Sequence, residues 1–182
     1  MKMFLLGRIV QISSASGPSY LGKCSQDIQR KMISHEVTWA EAERIIVEPF
    51  LNIKEDKSLA EEAQKAALES LGLADGAYGV AKAGVNAYTV ELARRQPSLR
   101  VNACTPGYIA TDLTKAYAEK SGKTPVEMGM KTAWEGASAA VQLTMSSLGP
   151  SESGRYYGSD GVRSPMHKYR SPGSLPFDGA FP

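Results

Sequence analysis

YGVAKAGVNAYTVELA, Tyr78 to Ala93, is the stretch from which the fold is read. Its apolar residues give no clean amphipathic stripe. Small residues (Gly79, Ala81, Ala83, Gly84 and Ala87) dominate one side instead. We read a helix over Tyr78–Arg95, ended by Pro97, built for close approach by another helix or a ligand. Working outward, Arg8–Ser13 is a short run of branched apolar residues bounded by Gly7 and by a loop, Ser13-Ser14-Ala15-Ser16-Gly17-Pro18. Leu99–Cys104 is a second such run, closed by Thr105-Pro106-Gly107, and Gly154–Gly158 can form a third short strand. Apolar residues in succession, rather than in alternation, suit parallel strands covered on both faces. Strand, helix, strand, helix, strand is the order of an α/β fold, which places ligands at the carboxyl ends of its strands.

Between the first strand and the central helix lies a long polar, helical stretch. Thr38 precedes Glu41, and Ser58 precedes Glu61, by three residues, the spacing of a capping box. These predict helices over Trp39–Phe50, ended or kinked by Pro49, and over Leu59–Leu71, broken by Gly72 and Gly76. A third box, Thr132 with Glu135, opens a helix to about Met145. Trp39 and Trp134 each follow a capping threonine and read as helix-end packing. From Ser164 onward, Pro165, Pro172, Pro176 and Pro182 among several glycines predict an extended, partly disordered tail.

The 182 residues suit one domain, and a hydrophobic fraction of 42% is sufficient for a core. A net charge of +2 with no basic block carries no nucleic-acid footprint. The apolar run after Lys2 is shorter than the ~7–15 residues of a signal peptide, and no stretch approaches the ~20 of a membrane span. A cytoplasmic protein without membrane or nucleic-acid partners is the expectation. Cys104 reads as a small buried hydrophobe and Cys24 as an incidental thiol on a polar helix. His35 and His167 read as surface residues, with no metal-ligand spacing around them.

Three places sit at strand ends or helix starts: Ser13-Ser14, Tyr78 with Lys82, and Pro106-Gly107 through Thr111. In that order, GRIVQISSASG (Gly7–Gly17), YGVAKAGVNAYTVELA and VNACTPGYIATDL (Val101–Leu113) resemble the short-chain dehydrogenase/reductase family. The resemblance implies the C-terminal portion of a Rossmann-like, doubly wound parallel sheet of about three strands plus helices. It implies NAD(P)H-dependent reduction of small-molecule carbonyl compounds to alcohols. Tyr78 would be the general acid, Lys82 would hold the nicotinamide ribose, and Ser14, second of its pair, would bind the carbonyl oxygen. Pro106, Gly107, Ile109 and Thr111 would line the nicotinamide. The chemistry suits such roles: residues four apart share a helix face, and an ammonium beside a phenol, whose pKa is ordinarily about 10, favours phenolate.

Ser14 and Tyr78 are 64 positions apart, longer than the resemblance leads one to expect. The interval resembles the carbonyl reductase branch, which implies NADPH as cofactor, with NAD left open, and a monomer when complete. Residues 1–163 then form a partial domain with a helical insertion over 18–77, followed by the 164–182 tail. A glycine-rich dinucleotide turn is missing from the sequence. The alternative is therefore a truncated, non-catalytic paralogue or incomplete gene product that binds partners through the exposed edge of its first strand. An unrelated α/β module is the third reading.

Overall fold

The computed structural model describes residues 7–145 and 152–179. The apolar run Met3–Leu6 and Pro182 lie outside the described residues. Four strands form one sheet in sequential order: β1 (Arg8–Ile12), β2 (Arg100–Cys104), β3 (Arg155–Tyr157) and β4 (Arg163–Ser164). The first three are parallel, with Ile12 opposite Cys104 and Cys104 opposite Tyr157, whereas β4 runs antiparallel to β3.

Helix α6 (Ala77–Arg95) crosses over from β1 to β2. Helices α7 (Asp112–Ser121) and α8 (Ala133–Met145) cross over from β2 to β3. Neighbouring residues of a strand face opposite ways, and the core divides accordingly. Ala103 and Tyr156 join the cluster that holds Ala83, Ala87 and Val90 of α6. Cys104 and Tyr157 join Ala139 and Leu143 of α8. The sheet is thus covered on both faces, and β2 is buried along its whole length. This is the α/β architecture expected from the sequence, extended by β4. Among the described residues β1 is an edge strand, and Ile12 at its end is 52% exposed.

The segment between β1 and α6 is a run of short helices: α1 (Ser16–Leu21), α2 (Gln26–Met32), α3 (Trp39–Ala42), α4 (Glu48–Glu55) and α5 (Glu61–Ser70). Met32, Ile46, Phe50 and Leu68 form its interior. Burying each such side chain contributes about 1.5–3 kcal/mol. Its fastening to α6 is partly polar. The buried carboxylate of Glu91 accepts the N–H of Trp39 at 2.6 Å, capping α3 from another helix. Arg94 donates to the carbonyls of Glu36 and Val37.

Several local expectations are corrected. Pro49 does not end its helix: a π-helical turn over Glu43–Val47 precedes it, and Pro49 falls in the first turn of α4, which runs on to Glu55. Ser58 caps no helix, because its hydroxyl and N–H both bond Asp56; α5 begins after Ala60 with no side-chain cap. The loop after Ser14 winds into α1 at Ser16. Cys24 is buried in the core. Trp39 packs edge-on to Tyr88, whereas Trp134 is exposed. His167 is partly buried against Phe177. The tail is anchored at its start by buried Pro165 and Met166.

Candidate active site

Helix α6 packs on α1 at its first two turns, and two glycines allow it. A Cβ on Gly79 would meet that of Tyr20 at 2.7 Å, and one on Gly17 would meet the backbone carbon of Lys82 at 2.9 Å. Helices α1 and α6 therefore cross almost backbone to backbone, beside the end of β1. There the Lys82 ammonium donates to the carbonyl oxygen of Ile12 at 3.0 Å and lies 5.6 Å from the Tyr78 ring centroid. The Tyr78 ring is 57% exposed, and its hydroxyl makes no hydrogen bond among the described residues.

The two serines part company after β1. Ser13 is buried, with its N–H on the Cys104 carbonyl and its hydroxyl donating to the Lys82 carbonyl at 3.3 Å. Ser14 lines a cavity of about 410 Å³ at the carboxyl ends of the strands. Its hydroxyl oxygen accepts the Ser16 N–H at 3.2 Å and its hydroxyl donates to the Ser16 hydroxyl at 3.3 Å. Ser14 and Tyr78 are not hydrogen-bonded to each other. A second hollow of about 300 Å³ is lined by Gly76 and Gly79, and Ala15 and Ser16 border both spaces, whereas Tyr78 and Lys82 line neither.

The segment after β2 forms the other wall. Gly107 has a φ of +86°, which a side chain rarely adopts. A Cβ there would sit 3.0 Å from that of Ser159. Pro106 is partly buried before it. Ile109 pairs in a parallel bridge with Lys131, through Lys131 N–H to the Tyr108 carbonyl and Ala110 N–H to the Lys131 carbonyl. The Ile109 carbonyl accepts the Thr114 hydroxyl, and its N–H takes no part in the bridge. Thr111 caps α7 in a reciprocal pair with Thr114.

No family model matches the chain. Carbonyl reductase [NADPH] 3 of Rattus norvegicus is 30% identical over 145 residues, covering 76% of this chain and 45% of the relative. Carbonyl reductase [NADPH] 1 of Oryctolagus cuniculus is 31% identical over 134 residues, covering 68% and 45%. The chain is a relative of the short-chain carbonyl reductases. The solved structure of salutaridine reductase from Papaver somniferum superposes with a TM-score of 0.52 at 24% identity, over 82% of this chain and 44% of that one. That likeness speaks for the fold, a Rossmann-like sheet. The chain spans a little under half the length of the carbonyl reductases it matches.

Within this carbonyl reductase-like frame, the cavity has walls that sequence reasoning missed: Lys131, Tyr156, Ser159, Tyr169 and Arg170. Arg170 makes a two-pronged ion pair with Asp160, 2.6 Å to its second oxygen, and also donates to Ser164, Ser171 and Ser174. Burial opposes the charge on Asp160. The hydrogen bonds from Arg170, Gly173 and Val162 outweigh it and hold the carboxyl below its usual range. Burial drives the Tyr156 phenol upward. The signal for these residues in one dimension is slight: Lys131 directly precedes a capping box, and Asp160 precedes a turn glycine. No cluster of metal-ligating side chains occurs, and no helix is long and apolar enough to cross a membrane, among the described residues.

Proposed function

We propose that this chain carries the catalytic side of an NADPH-dependent reductase that converts carbonyl compounds to alcohols. The observation that carries the reading is the pairing of Tyr78 and Lys82 at the start of α6, with Lys82 tied to Ile12 two residues before Ser14. The names of the carbonyl reductases it resembles support NADPH as the cofactor.

The donors on hand suit the nicotinamide end of such a cofactor. Lys82 spends one of its three N–H groups on Ile12. The Ile109 N–H and the Thr111 hydroxyl lie along the stretch opened by Gly107. The bound cofactor supplies hydride. Tyr78 would give its hydroxyl proton to the carbonyl oxygen, and the Lys82 ammonium would steady the phenolate left behind. Ser14, by rotating from Ser16, would donate to the same oxygen as negative charge grows on it. The cytosol is the compartment we propose, and a small-molecule carbonyl compound the substrate.

The test is NADPH oxidation by the purified chain with a panel of aldehydes and ketones, for the wild type and Tyr78→Phe. Turnover that survives in the variant would sink the assignment of Tyr78. A second reading, a non-catalytic protein that pairs its β1 edge with a partner, is favoured by the exposure of Ile12. Light scattering on the purified chain tests it, and a monomer that captures nothing counts against it.

A further inference from the structure

The 410 Å³ cavity is within the size range of small-ligand sites, about 300–1,000 Å³. Two cations and no acidic side chain line it. The cations are not equivalent. Arg170 is neutralised by Asp160 and fixed by three further acceptors. The Lys131 ammonium has only neutral acceptors, the carbonyl and hydroxyl oxygens of Ser159, each at 3.2 Å. Among the described residues no carboxylate lies within ion-pair reach of it. The nearby Glu135 is committed to the N–H and hydroxyl of Thr132, at 2.8 and 2.7 Å. Lys131 is also held in place: its backbone is bridged to Ile109, and its stem packs beside Gly107. An ammonium has three donors, so one remains for a ligand.

We infer that this cavity selects carbonyl substrates that also carry a carboxylate, with Lys131 as the residue that receives it. This rests on the reductase reading and names its substrate class. A cation in a cleft with no direct ion-pair partner, Glu135 acting on it only from beyond ion-pair distance, favours a ligand of opposite charge, and a charge-assisted hydrogen bond is about twice as strong as a neutral one.

The test is equilibrium binding to the full chain, without turnover, of 4-carboxybenzaldehyde and of its neutral methyl ester, read by ligand-detected NMR. The wild type should bind the acid about tenfold more tightly, Lys131→Met should erase the preference, and Lys131→Arg should keep it. Equal binding of acid and ester by the wild type, or a preference that survives Lys131→Met, overturns the inference. Should Lys131→Met fail to fold, salt decides on the wild type. A preference that shrinks as ionic strength rises supports the pair, and one indifferent to salt overturns it. Acid preference without any NADPH consumption would defeat the reductase reading alone. Turnover that treats acid and ester alike would defeat this inference alone.

Discussion

The ammonium of Lys82 lies 3.0 Å from the carbonyl oxygen of Ile12, at the carboxyl end of an edge strand. This bond ties the lysine to the end of β1, next to the serine loop, and leaves two of its donors available. Lys82→Met keeps the stem and removes the donors. We expect it, like Tyr78→Phe, to lower kcat by at least about 100-fold, the low end of what a positioned acid-base group contributes. The melting temperature of Tyr78→Phe should stay within a degree or so of wild type, because its hydroxyl has no partner among the described residues. Steady-state kinetics beside a thermal melt checks both.

Gly17 lies under the backbone of Lys82. Gly17→Ala should cost about 1–3 kcal/mol, the usual penalty of overpacking, because the atoms it meets are main chain and cannot swing aside. Since those atoms belong to Lys82, turnover should fall in the fraction that remains folded. Normal kcat together with a lowered urea midpoint would show that the crossing supports stability alone.

Glu91 caps α3 from α6. Glu91→Ala leaves the Trp39 N–H without its acceptor and should cost about 1–3 kcal/mol. Glu91→Gln retains an acceptor and should cost less. The fluorescence of Trp39, which packs on Tyr88, should change early in urea in the alanine variant.

The Asp160 carboxyl is held below its ordinary range in the folded chain. Its contribution to stability is therefore present above the unfolded value, about 3.9, and is lost as pH falls through the lower folded value. Asp160→Asn should destabilise the protein at neutral pH by about 3 kcal/mol, since it leaves the buried Arg170 without its counter-charge. The difference from wild type should narrow below about pH 4. Chemical denaturation at several pH values measures it.

Burial pushes the Cys104 thiol up to about 11 and raises that of Cys24. At pH 8 neither should react readily with a thiol reagent in the native protein, and both should react once it is unfolded. Rapid labelling of one thiol in the folded state would show that the segment around it opens.

What the sequence disclosed and what it hid follow the range of the interactions. The runs at Ile9 and Val101 and the small-residue face of α6 declare themselves within a few residues, and the parallel pairing of β1, β2 and β3 follows from them. Pro49 misled because a proline one place inside a new helical segment, after a widened turn, looks the same in one dimension as a helix stop. Ser58 misled because Asp56, two residues away, offers its hydroxyl a nearer acceptor than a helix N–H would be. Of the residues assigned by resemblance, Lys82 meets β1 across 70 positions, and Ser14 faces a cavity whose far wall, Lys131, Ser159 and Arg170, comes from more than 100 positions later. No local pattern encodes those meetings; they exist only after β3 and β4 have joined the sheet.

Helix α6 has its proposed proton donor at one end and its clasp on α3, Glu91, thirteen residues further on, about 20 Å along the axis. The separation sets α3 on a rigid rod well away from the chemistry, while α1 packs against the proton-donor end. Changes in α3 reach the chemistry only if they bend the rod or break the clasp, whereas changes in α1 meet it directly.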